Sequence, residues 1–178
     1  MKIKYHDMAI DGLELHAAED GKMTVSGYAS VFGVVNSYNE IVDKGAFIDS
    51  LKNKAVRFLF NHNSDAVIGK ILECHEDDKG LYFVAEFNSN IALAKEVYSM
   101  LKEDNINGVS IGFTTLVESY IENIRHIVKV DLWEISIVTF PANEQATVEE
   151  VRSFNSCIAA CDRLHNAIKQ LKNIDFVN

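Results

Sequence analysis

The chain has 178 residues, 48% of them hydrophobic, and a formal net charge of −9. That length suits one domain with a small appendage, and a chain of this size removes roughly 70% of its unfolded surface from water. The acidic balance excludes a general nucleic-acid binder, which needs clustered Lys and Arg to displace counterions from phosphates, and a protein that docks on an anionic membrane surface. A basic peptide or protein partner stays open.

The amino terminus, MKIKYHDMAIDG, carries charges and no apolar h-region. No stretch approaches the roughly 18 apolar residues of a membrane span. A soluble, cytoplasmic protein is expected. The first strand is read at Met23–Phe32, β-rich and stopped by Gly33. Lys44–Lys52 is a short amphipathic helix. Val56–Phe60 is an apolar run, and Val67–Glu73 alternates loosely. In Gly80–Phe87 the residues Leu81, Phe83, Ala85 and Phe87 share one face. Asp77-Asp78-Lys79-Gly80 is a turn signal, so Val67–Glu73 and Leu81–Phe87 are expected to form a hairpin.

Asn90–Glu103 follows as the stronger helix, with Ile91, Ala94, Val97, Met100 and Leu101 at helical spacing. Asn88, Ser89 and Asn90 offer N-cap chemistry. Three strands come next: Gly108–Leu116, Arg125–Val130 and Leu132–Phe140, the last stopped by Pro141. From about Thr147 the chain reads as a helix with a narrow apolar seam: Phe154, Ile158, Cys161, Leu164, Ile168 and Leu171. That seam packs on its own sheet or mediates association. The sum is an α+β domain, mainly β, with a barrel-like core and flanking helices. Residues 1–150 form the domain and 151–178 a helical tail.

The cysteines are Cys74, Cys157 and Cys161, an odd count that suits reduced thiols in a reducing compartment. Cys157 and Cys161 read as small buried hydrophobes on one helix face. No metal motif, phosphate-cradling loop or cofactor signature is visible.

Three residues stand out chemically, each with an ordinary structural reading beside it. Ser110 is a small polar residue inside an apolar strand, with Gly108 and Gly112 two residues to either side. On periodicity it reads as a core serine bonded to backbone. Glycines there also let another backbone or a substrate approach closely. The segment lacks the strand-to-helix turn of a nucleophile elbow. His62 lies just past an apolar strand, in a polar turn, where a surface histidine is as natural as a catalytic one. Glu134 lies in a strand rich in Trp, Ile and Val. Alternation puts it on a solvent face, but if buried it needs a partner such as an imidazole N–H. Asp131 competes with it. A cysteine hydrolase using Cys74 and His75 is disfavoured, since adjacent strand residues point to opposite faces.

Taken in order, several blocks resemble the phage prohead protease family. They are Gly27-Tyr28-Ala29-Ser30-Val31-Phe32-Gly33, Gly45-Ala46-Phe47, Asn61-His62-Asn63 with Ile68-Gly69-Lys70, and Gly80-Leu81. Gly108-Val109-Ser110-Ile111-Gly112-Phe113 and Asp131-Leu132-Trp133-Glu134-Ile135-Ser136-Ile137-Val138-Thr139, running on to Pro141-Ala142-Asn143, complete the series. The likeness spans about Gly27 to Ala146. It implies an assemblin-like β-barrel, distantly similar to the herpesvirus proteases, and a serine endopeptidase that cleaves capsid and scaffold proteins inside the assembling procapsid in the host cytoplasm. It maps the family serine onto Ser110, the histidine onto His62 and the acidic residue onto Glu134. The major capsid protein and the scaffold protein are the implied partners, with activity dependent on encapsidation or homo-oligomerisation. The segment Asn36–Lys44 departs from the family pattern. The competing expectation is a scaffolding protein that keeps the fold without turnover.

Overall fold

The computed structural model describes residues 4–8, 14–17, 22–53 and 55–139. The expected tail helix, its two cysteines and Pro141 lie outside them. In chain order the strands and helices are β1 (Lys4–Met8), β2 (Glu14–Ala17), β3 (Met23–Val31), β4 (Glu40–Val42), α1 (Ile48–Asn53), β5 (Arg57–Phe60), β6 (Asn63–Glu76), β7 (Gly80–Phe87), α2 (Ala92–Lys102), β8 (Gly108–Ile121) and β9 (Ile124–Val138).

These strands join in one sheet, ordered β1-β8-β9-β5-β6-β7-β3-β2, with β4 added in parallel beside the first residues of β9. The sheet curls until β3 touches β8, which closes a partial barrel. Its interior is aromatic. Phe58 meets Phe87 edge-on at 5.1 Å, and Phe87 meets Tyr98 of α2 at 5.3 Å, so the helix's buried face of Ala94, Val97, Tyr98 and Leu101 packs on the sheet. Such pairs add about 0.5–1.5 kcal/mol each beyond their burial. Ile111, Ile135 and Phe58 lie in one row across β8, β9 and β5, all fully buried.

The β6–β7 hairpin forms as expected, and its turn chemistry is on view: Asp77 Oδ1 accepts from Lys79 N (2.7 Å) and Gly80 N (2.9 Å). Other expectations change. The helix read at Lys44–Lys52 is shorter, because Gly45 takes a positive φ of 97° and the Glu76 carboxylate accepts from Gly45 N and Phe47 N ahead of it. The polar residues 88–90 do not cap α2 by side chain. Ile91 is its N-cap, and Asn88 Oδ1 instead accepts from Asn90 N at 3.0 Å in a local turn. The two strands read at Arg125–Val130 and Leu132–Phe140 are one, β9. β4 was not expected. It is tied down by buried Arg125, which bridges Glu40 and Glu118.

Candidate active site

The site begins with a turn. β5 reverses into β6 through only Asn61 and His62, both with positive φ (51° and 56°). Two central residues of that kind make the hairpin turn whose twist matches its strands, and Asn and His tolerate the conformation better than most side chains. Asn61 clamps the turn to the end of β9. Its N–H donates to Ile137 O (2.9 Å) and its Oδ1 accepts from Thr139 N (2.9 Å). Thus the imidazole is fixed by its backbone before its ring makes any contact.

The ring's Nδ1 lies 2.5 Å from Glu134 Oε1. Both side chains are largely enclosed, His62 at 16% and Glu134 at 6% exposure. The other carboxylate oxygen, Oε2, accepts from Ser136 Oγ at 2.5 Å, and that hydroxyl accepts from His62 N at 3.2 Å. A carboxylate can only accept, so the imidazole facing it donates through Nδ1–H. That tautomer leaves a lone pair on Nε2, the state a general base requires.

Simple alternation places Glu134 on a solvent face, but the side chain is buried against His62. Gly112 pairs with Glu134, but Phe113 pairs with Leu132, so Trp133 is an extra residue in β9. The bulge shifts the alternation. Leu132 and Ile135 both enter the core, Trp133 turns outward, and Glu134 turns to the histidine. Gly112 makes room for it: a Cβ there would stand 2.3 Å from Glu134 Oε1. The glycine beside the serine therefore admits a carboxylate from the neighbouring strand.

Ser110 is fully buried in β8 and directly opposite Ser136. Opposed residues of an antiparallel pair lie roughly 4.5–5.5 Å apart at Cα and share a face. Ser110, Gly112, Glu134 and Ser136 therefore line one patch, and Ser136 in turn bonds the His62 backbone. The competing acid, Asp131, sits on the other side of the bulge, opposite Thr114.

Of the other histidines with described side chains, His126 pairs with Asp43 at 2.8 Å and His75 with Glu73 at 3.1 Å. The cysteine reading fails on chemistry as well as direction. Burial pushes the Cys74 thiol up to about 12, so the thiolate that would attack is scarce at neutral pH. Iodoacetamide at pH 8 is accordingly expected to leave the Cys74 peptide unmodified in the folded protein and to alkylate it in denaturant. Equal labelling in both states, read by peptide mass, would contradict this.

Residues missed on the sequence are Ser136 and the clamping role of Asn61. The available signal for Ser136 was its position two residues after Glu134, hence on the same face of a strand.

The fold defines a class. It is shared with the bacteriophage T4 capsid assembly protease, whose structure aligns at a TM-score of 0.64 and 14% identity over 77% of this chain and 97% of that one. The family follows from sequence: a model of the caudovirus prohead serine protease matches residues 11–158, and the chain belongs to that family. It is 33% identical to the prohead protease of Enterobacteria phage HK97 over 153 residues, 82% of this chain and 68% of the relative. It is also 27% identical over 177 residues to a capsid polyprotein of Pseudomonas phage PAJU2, covering 95% of this chain and 25% of the polyprotein.

Proposed function

We propose that the chain is a serine endopeptidase of capsid maturation, with Ser110 as nucleophile, His62 as general base and Glu134 as the group that orients His62. The observation that carries this is the 2.5 Å contact between His62 Nδ1 and Glu134, on the sheet face that Ser110 shares. His62 Nε2 takes the Ser110 proton as Oγ attacks the scissile carbonyl, then returns it to the leaving amine. Water hydrolyses the acyl-enzyme by the same route. Glu134 balances the imidazolium that forms in between.

Ser110 is fully buried, so turnover requires a displacement that uncovers Oγ. This supports a peptidase held closed until assembly. The substrates proposed are the major capsid protein and the scaffold protein inside the procapsid, with self-association of the enzyme as part of its activation. The family and the capsid polyprotein relative support a capsid protein as substrate.

The scaffolding alternative predicts no cleavage. Co-expression with the major capsid protein of the same phage, followed by intact-mass measurement of the capsid subunit, separates the two. The peptidase gives a subunit shortened at one defined position. A full-length subunit in assembled shells would favour the scaffold.

A further inference from the structure

We infer that Ser136 is a positioning residue of this site, locking Glu134 and the His62 turn into one unit; this rests on the catalytic reading of Ser110, His62 and Glu134. The hydroxyl is fully buried and makes two hydrogen bonds, both to that pair. It donates to Glu134 Oε2 at 2.5 Å and accepts from His62 N at 3.2 Å. Glu134 Oε1 meets His62 Nδ1, so three contacts close a ring through three side chains and one backbone N–H.

The ring has a mechanical meaning. A carboxylate held at one oxygen can still pivot about that contact, whereas one held at both oxygens presents a fixed edge to the imidazole. The backbone N–H matters equally, because His62 sits in left-handed conformation, which costs an L-residue energy and persists only where its surroundings enforce it. Ser136 supplies one enforcing bond. A buried serine in a strand would satisfy itself equally well on nearby backbone carbonyls. Here it spends its proton on the carboxylate two residues before it, on the same face. It is also the residue directly opposite Ser110, so it spans the gap between the serine strand and the histidine turn.

The test measures cleavage of the cognate capsid subunit by the full-length chain in co-assembled shells, together with Ser110 labelling by a fluorophosphonate. Ser136→Ala is expected to slow cleavage about 10- to 100-fold. In a Glu134→Gln background the same substitution should cost less than about threefold, because the two act as one unit. Ser136→Cys fills a similar volume with a weak donor and should lie between wild type and alanine. It also supplies the reading should the alanine variant fail to fold. A wild-type rate in either folded variant overturns the inference, and so does an equal loss in both backgrounds, which is what a purely structural role would give. Absence of fluorophosphonate on Ser110 in the active wild-type shells overturns the catalytic reading itself.

Discussion

Ser110→Ala is expected to abolish cleavage of the capsid subunit, a loss on the order of 10⁴-fold or more, while leaving the fold intact. The size follows from the chemistry: without Oγ there is no acyl-enzyme, and the His62–Glu134 pair has no proton to accept. The fold should tolerate the change, since one oxygen is removed from a tightly packed strand position and the volume lost is small. Thermal unfolding within a few degrees of wild type is the control. Glu134→Gln should cost less than Ser110→Ala or His62→Ala, because an amide can hold the ring but cannot balance its charge. Activity should also fall in acid as His62 becomes protonated and its lone pair is lost. Full cleavage by a folded Ser110→Ala variant would remove the nucleophile assignment.

Gly112→Ala is the second large effect. The added methyl would stand 2.3 Å from Glu134 Oε1 and 3.0 Å from its Cγ and Cδ. Nothing in that side chain is free to step aside. One oxygen is held by His62 and the other by Ser136, and the residue is only 5% exposed. The carboxylate must leave the imidazole or the strands must part. Either displaces the base, and a displacement of about 1 Å at such a site can cost on the order of 10²-fold. Overpacking should also destabilise the protein by about 1–3 kcal/mol. The measurement is the cleavage rate beside a thermal melt. A Gly112→Ala variant with the wild-type rate would show that the glutamate does not need its present position.

The sequence was most readable where structure is local. The β6–β7 hairpin announced itself through Asp77 to Gly80, and α2 through the spacing of its buried face. Where long-range pairing decides, the reading fell short. β4 is three residues long and exists through its pairing with β9 and the bridge from Arg125. β8 was expected to stop near Leu116, yet it runs to Ile121. Glu122 and Asn123, both with positive φ, turn it directly into β9, although neither residue is a glycine. At the site, Ser110, His62 and Glu134 were named from residue type and family likeness, whereas alternation put Glu134 on the wrong face. A bulge leaves no mark in the period of a strand until its partner is known.

That same bulge places the chain's single tryptophan, Trp133, immediately before Glu134, 37% exposed and with its indole N–H donating to Thr114 Oγ1 at 3.1 Å. Because no other indole contributes, the emission excited at wavelengths beyond the absorption of the chain's six tyrosines originates at this one point. The molecule therefore carries its own optical gauge: any rearrangement that slides β8 along β9 changes the colour or intensity of that emission, without a label and on the timescale of assembly.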